Sequence, residues 1–446
     1  MSAVSARSVR QTAGLESSRA LQRVLYQAAK SEPGRRFHQL YGHVARSDVL
    51  WRAWDDVRAN KGAPGVDGVS IADVEAAGVS EFLNGLAVRL RAGEYRPSPL
   101  RRVRIPKPGR PGETRPLGIP TVTDRVVMAA AKIVLEPIFE ADFSPASFGF
   151  RPKRSAIDAC ERVRVAANRG RDWVLDADIK ACFDEIDHDA LIAQVERRVA
   201  DRKMVKLLRG WLRAGVFEGG VVSDSESGTP QGSPISPLLA NIALHVLDEA
   251  WDREGGYRLG VLVRYADDFV VVCSSRGRAE AARVKAGRVL ATLGLRLHPD
   301  KTRVVNLTRG NDGFDFLGFH HHKVASWRDR TRFWLQRWPA PRAMASIRGK
   351  VRELTSRRFV GFDVDVIIGW LNPVLRGWGN YFRWGNSGRK FAVIDSYVHE
   401  RVALFASAKH GLRGRNWVAR FHHRWLQQLG IHRLTGTVRR ATAHAT

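Results

Sequence analysis

At 446 residues, 44% hydrophobic and 26% charged, the chain has a globular composition but exceeds what one hydrophobic core organises, so two or three subdomains are expected. Its formal net charge of +28, with a pI near 11.0, would repel itself in a compact state unless a polyanion is the normal partner, and nucleic acid leads the candidates. Cys160, Cys182 and Cys273 form no CxxC pair, and neither a signal-peptide core nor a bilayer-length apolar run is present, which argues against a disulfide scaffold, secretion and membrane insertion and for the cytoplasm.

Residues 1 to about 35 are rich in Ser, Ala, Arg and Gln, the composition of a flexible lead into a helix. The run Asn60 to Gly68 is dense in turn formers and reads as an ordered loop or a linker. From Tyr95 to Pro120 short β-prone pieces among Arg, Lys and Pro predict a basic hairpin. Thr121-Val122-Thr123-Asp124 then offers a cap for an apolar helix over Val126 to Phe139. Alternation from Asp172 to Ile179 predicts a half-buried strand with Asp176 and Asp178 on its open face. A helical pattern runs from Asp189 to about Leu212 and stops near Gly215. Val261 to Cys273 reads as a hairpin with an acidic tip, and a helix over Ala279 to Leu293 ends at Gly294.

Beyond Phe319 the composition shifts. From His320 onward there are 24 Lys+Arg against 6 Asp+Glu, and eight of the thirteen Trp. Basic residues interleaved with Trp at helical spacing suit a surface that grips phosphates and stacks bases, although a Trp in a helical domain is by default a core residue.

Joining a nucleotide to a primer is an in-line displacement at phosphorus, assisted by two divalent ions about 3.5 to 4 Å apart. Such ions want hard oxygen ligands, and three acids converging from two adjacent strands suffice. Asp178, at a strand end, and Asp267 with Asp268, at a hairpin tip between apolar strands, form such a set. Adjacent acids in a turn are common, so Tyr265-Ala266-Asp267-Asp268 alone is a weak signal. Its context is more specific. Upstream lies Asp178-Ile179-Lys180-Ala181-Cys182-Phe183-Asp184, and between the acids lies Pro230-Gln231-Gly232-Ser233-Pro234, a turn opening into a helix.

The remaining blocks follow in order: Ile105-Pro106-Lys107, Arg115-Pro116-Leu117-Gly118-Ile119-Pro120, Ser147-Phe148-Gly149-Phe150-Arg151-Pro152, His298-Pro299-Asp300-Lys301-Thr302, Phe316-Leu317-Gly318-Phe319 and Leu371-Asn372-Pro373 through Phe382. In this order, from about Phe37 to Ala408, the chain resembles a group II intron-encoded reverse transcriptase with maturase activity. The resemblance implies an α+β right-hand polymerase, with fingers and palm built on antiparallel sheet, followed by an α-helical thumb and maturase domain. Its expected divisions are a lead over 1–35, an N-terminal extension and fingers over 36–160, a palm over 161–319, a thumb and RNA-binding domain X over 320–408, and a basic tail over 409–446.

Residue by residue, the resemblance implies that Asp178, Asp267, Asp268 and the Ile179 carbonyl hold two Mg²⁺ ions, with Mn²⁺ able to substitute. Lys107 and Arg115 would bind the triphosphate of a dNTP, although general attraction to the template is their simpler role. Phe183 would exclude a ribose 2′-hydroxyl, or else simply pack. Gln231 would contact the nucleotide, and Lys301 the leaving pyrophosphate. Gly232, Arg376, Trp378 and Tyr381 would contact template or intron RNA, and a DNA primer or target would complete the partners.

Many members end in an H-N-H endonuclease with paired cysteines. No Cys follows Cys273 here, so nicking of target DNA by this chain is not expected. Two alternatives share most of these motifs: a domesticated relative serving DNA repair or phage defence, and a splicing cofactor that binds RNA without polymerising. The clustered acids argue against the second, since RNA binding has no use for carboxylates facing a polyanion.

Overall fold

The computed structural model describes residues 3–106, 112, 114–218, 221–223, 228, 232–411 and 420–439. Eleven strands are defined: β1 (Leu100–Pro106), β2 (Thr114–Ile119), β3 (Trp173–Asp178), β4 (Val216–Glu218), β5 (Val221–Ser223), β6 (Gly260–Tyr265), β7 (Asp268–Cys273), β8 (Arg303–Asn306), β9 (Gly313–Phe316), β10 (Phe319–Ala325) and β11 (Phe333–Pro339). They form sheets in the orders β2-β1-β4-β5, β6-β7-β3-β8 and β11-β10-β9. The chain divides into two compact units, one of residues 1–155, 177–271 and 280–303, the other of 156–176, 272–279 and 304–446.

In the first unit the expected basic hairpin is present, with β1 and β2 antiparallel and Ile105 opposite Arg115. Helix Val122–Glu140 starts where the cap was expected: the Thr121 hydroxyl accepts from the Asp124 amide at 3.0 Å and donates to its carboxylate at 2.7 Å. That carboxylate also accepts from the Tyr95 hydroxyl (2.5 Å), and Trp211 Nε1 donates to Tyr95 (2.9 Å), which ties the helix start to two distant segments. The Asn60 to Gly68 run is an ordered loop. Arg125 donates to the Ala63 carbonyl, and a Cβ at Gly65 would stand 2.6 Å from the Thr121 backbone.

Two local expectations are corrected. Where composition suggests a flexible lead, Ala3–Ser31 is one helix. Tertiary contacts hold it: Leu25 and Ala29 are buried, and Gln22 and Lys30 donate to the carbonyls of Ile133 and Ala141 at 3.0 Å each. The helical pattern over Asp189 to Leu212 is two helices, His188–Glu196 and Arg202–Leu212. Asp201 separates them. One of its oxygens caps the second helix through the Lys203 and Met204 amides, and the other accepts from Leu40 and Tyr41 at 2.7 and 2.8 Å.

In the second unit an antiparallel three-stranded sheet precedes helices Pro341–Leu354, Val364–Phe382, Gly388–Lys409 and His423–Gln428. The core of the Val364–Phe382 and Gly388–Lys409 helices is aliphatic and phenylalanine, including Ile367, Leu371, Leu375, Phe382, Phe391 and Ile394. The tryptophans are not in it. Among the seven described Trp beyond His320, Trp327, Trp334 and Trp370 are exposed and the others are only partly covered. Within the expected basic tail over 409–446, residues 420–439 pack on the helices: Leu434 is buried, its amide and that of Thr435 donate to Asp395, and Asn372 exchanges hydrogen bonds with Gly430 and His432.

His321 on β10 is fully buried, stacked on Phe314 at 5.1 Å, and neither ring nitrogen makes a hydrogen bond of normal geometry. Burial, then the nearby Arg337 and His320, push its pKa down to about 3. The folded ring therefore stays neutral while the unfolded one takes up a proton near pH 6.5. Stability from this position is complete above about pH 6.5 and is lost as pH falls toward about 3. His321→Phe should remove that pH dependence and be at least as stable at neutral pH, because it deletes buried polar atoms without partners. Urea unfolding midpoints of the two proteins at neutral and mildly acidic pH check this; an unchanged acid loss in the variant would refute it.

Candidate active site

Asp178 ends β3, and the chain then turns through Ala181, a non-glycine residue in the left-handed region (φ 44°), into the short helix Cys182–Glu185. The Ala181 carbonyl accepts from the Asp184 and Glu185 amides at 2.8 and 2.9 Å, which supports the strained turn. Ile179 pairs with Leu297, and the His298 amide donates to the Asp178 carbonyl at 2.8 Å. This brings in the turn at His298, from which Lys301 reaches back so that its ammonium ion-pairs with the Asp178 carboxylate.

Asp267 and Asp268 stand at the turn between β6 and β7, both half-buried. The neighbouring Ala266 is the second left-handed alanine (φ 57°). Burial raises the Asp267 carboxyl above its ordinary pKa, and the charge of Asp178 raises it further, while Arg115 and Lys301 oppose the shift. Cys182 senses the same field. Burial pushes its thiol up, with Asp267, Asp178 and Asp184 adding to the effect, so it stays protonated and is no nucleophile. Residues more than 80 positions apart in sequence thus share one electrostatic environment. Among the described residues no three His, Cys, Asp or Glu side chains are already drawn together tightly enough to enclose a metal ion.

The turn is fixed from beneath by a buried network that the motifs did not reveal. Arg264 is fully buried and grips Asp248, also fully buried, through two bonds of 2.8 and 2.6 Å. Its remaining donor reaches the Asn241 side chain (2.9 Å) and the Ala266 carbonyl (3.0 Å), and Asn241 donates to the Gly149 carbonyl (2.8 Å). Although burial alone would raise the Asp248 pKa, Arg264 holds it below the usual carboxylate range. Gly149 has no alternative, since a Cβ there would run into the Ala266 amide. Two signals could have exposed this network: an arginine inside the apolar run Val261-Leu262-Val263-Arg264, and Asn241 and Asp248 seven residues apart on one helix face.

Of the other expected site residues, Arg115 is exposed on β2 and Phe183 is half-buried in the short helix. Lys107 and Gln231 lie outside the described residues. Gly232 has φ +107°, and a Cβ there would stand 2.8 Å from Leu117, so packing against β2 already demands glycine. On helix Val364–Phe382, Arg376 is exposed, whereas Trp378 packs on Phe382 and Phe391, and Tyr381 stacks on Phe319 and donates to the Leu317 carbonyl at 2.8 Å. Elsewhere a cleft lined by Arg36, Arg96, Arg202, Lys203, Arg209 and Arg213, among others, concentrates positive charge.

Residues 105–321 match the reverse transcriptase (RNA-dependent DNA polymerase) family, and residues 344–425 match the group II intron, maturase-specific domain. The α+β fold with these acids on adjoining strand ends is that of a right-hand polymerase, and the chain is an RNA-directed DNA polymerase. Protein YkfC of Escherichia coli (strain K12) is 35% identical over 348 residues, covering 70% of this chain and 89% of that one. The group II intron-encoded protein LtrA of Lactococcus lactis subsp. cremoris is 39% identical over 231 residues, 50% of this chain and 38% of that one. An uncharacterized 91 kDa protein in the cob intron of Schizosaccharomyces pombe is 29% identical over 450 residues, 85% and 51% of the two chains. The chain therefore spans about half or less of the last two relatives. It belongs to the family of group II intron reverse transcriptases and maturases. Such a domain uses divalent metal and binds RNA and DNA, and among the described residues no helix is long and apolar enough to cross a membrane.

Arg264→Met should cost about 3–5 kcal/mol, because it leaves Asp248 buried without a counter-charge. The double variant Arg264→Met/Asp248→Leu should recover most of that stability. Primer extension should stay depressed in both, since the Ala266 carbonyl and Asn241 lose the guanidinium that sets the turn. Denaturant midpoints and extension rates of the three proteins check this; full activity in the double variant would show that the network serves stability alone.

Proposed function

We propose that Asp178, Asp267 and Asp268, with the Ile179 carbonyl, hold two Mg²⁺ ions and that the chain copies RNA into DNA from dNTPs at this site. The observation that carries the reading is the mutual field of Asp178 and Asp267 at neighbouring strand ends, opposed by Lys301 and Arg115. Hard carboxylate oxygens in mutual repulsion are a donor set that suits Mg²⁺. When bound, the ions would neutralise charge on the attacking and leaving oxygens of the displacement.

The chain's own groups have separate tasks. Arg115, on the basic hairpin, and Lys107 attract and orient the triphosphate. Lys301 keeps positive charge beside Asp178 and is available to the pyrophosphate as it leaves. Phe183 excludes a 2′-hydroxyl by bulk, and Gln231 with Gly232 lies along the nascent pair. In this reading fingers, palm and thumb occupy 36–160, 161–319 and 320–408. The maturase region, including Arg376, binds group II intron RNA, promotes its splicing and supports its copying into a DNA target.

Primer extension on an RNA template with Mg²⁺ tests the acids. Asp267→Ala/Asp268→Ala should lower the rate by roughly 1,000-fold or more, about 4 kcal/mol of barrier, with the unfolding midpoint close to wild type; surviving activity would sink the assignment. For the gate, Phe183→Val should narrow the preference for dNTP over rNTP, and unchanged discrimination would remove that role.

A further inference from the structure

In a half-covered antiparallel hairpin, apolar side chains turn inward and polar ones outward. The β10–β11 hairpin departs from that rule. Three of its buried positions are His321, Lys323 and Arg337. Lys323 is buried only with Asp172 as its ion-pair partner, and Arg337 with Glu161 (3.2 Å) and the Trp384 carbonyl. Phe319 and Leu335 share that inner face, while both indoles lie on the open one. The register sets His320 opposite Trp338 and Val324 opposite Trp334. Trp338 lies 5.4 Å from His320 and 6.1 Å from His322, ring to ring, and Trp334 is 45% exposed.

A slip of one residue would turn the indoles inward and release the buried charges to water. The same slip would expose the buried Phe319 and Leu335, so apolar burial alone does not choose the register; the one adopted leaves the indoles on the face open to a ligand. The hairpin tip extends the same surface. Trp327 is 84% exposed, with the Arg328 guanidinium 4.9 Å above its ring. The tip is already ordered: Ser326 donates to the Arg332 carbonyl (2.8 Å), and the Asp329 carboxylate accepts from the Thr331 amide (3.0 Å) and hydroxyl (2.5 Å). Arg330 is exposed beside it, and Arg332 is ion-paired with Asp329 (3.2 Å).

We propose that the open face and tip of this hairpin are a track for single-stranded RNA. Trp338, Trp334 and Trp327 stack on unpaired bases, while Arg328 and Arg330 neutralise flanking phosphates. Flat aromatic faces on a sheet, edged by cations, recognise bases that are free to splay, which a duplex does not offer. The choice of RNA over DNA rests on the polymerase reading, in which the unpaired strand is an RNA template; the stacking geometry does not.

The test titrates the full chain with a short, unstructured, labelled RNA, with DNA of the same sequence, and with an RNA duplex. Trp334→Ala and Trp338→Ala should each weaken single-stranded RNA binding about tenfold, as loss of one base–aromatic stack does, while the Phe variants keep most of it. Trp327→Ala should also weaken it, and because that indole covers nothing in the fold, its loss cannot be ascribed to unfolding. Arg328→Ala/Arg330→Ala should lower the salt dependence by a slope of roughly 1.4, about 0.7 per phosphate. Unchanged RNA affinity in the three Trp→Ala variants, or an equal loss on duplex, overturns the track. Wild-type binding of DNA as tight as RNA overturns the assignment to RNA. Extension of a primer on a template with a short overhang is measured in parallel. Wild-type failure there refutes the polymerase reading, while the Trp-dependent difference in RNA affinity still decides the track.

Discussion

The acidic turn between β6 and β7 depends on one buried ion pair. Arg264 and Asp248 are both fully enclosed, and the desolvation of each is offset only because the other supplies a bidentate partner and Asn241 and the Ala266 carbonyl take the remaining donor. A pair of this kind adds little stability over well-packed apolar side chains. What it adds is direction. The guanidinium ties a strand, a helix and a left-handed turn into one arrangement, and the two acids of that turn inherit its position.

The acids themselves show the opposite economy. Burial, and then the charge of Asp178, raise the energy of the charged form of Asp267, and Arg115 and Lys301 oppose this. The persistence of these acids beside two alanines held in the left-handed region is the local strain expected where a site is kept for chemistry. Beneath them, the protonated thiol of Cys182 contributes bulk without adding a fourth negative charge.

The same tension recurs in the second unit, where the β10–β11 hairpin buries Lys323 and Arg337 and leaves its indoles outside. There the sheet register makes the choice, since a side chain's face follows from its pairing alone. Counting Trp and Arg along the chain suggested helical spacing for a nucleic-acid surface. The exposed indole at 334 and the half-covered one at 338 instead alternate with buried residues at strand spacing.

Sequence by itself determined the parts whose physics is local. Alternation gave the strand ending at Asp178 and the two strands around the acidic turn; Thr121 marked a helix start through its own hydroxyl; and the order of short blocks identified the polymerase family. Tertiary structure decided what depends on distant partners. The first helix is ordered by Ile133 and Ala141, the break at Asp201 is completed by Leu40 and Tyr41, and Arg264 finds Asp248 across another element. In each case the deciding contact joins distant segments, and even where an arginine inside an apolar run flags a buried charge, its partner is not named by the sequence, because burial and hydrogen-bond satisfaction are properties of the assembled core and not of any single segment.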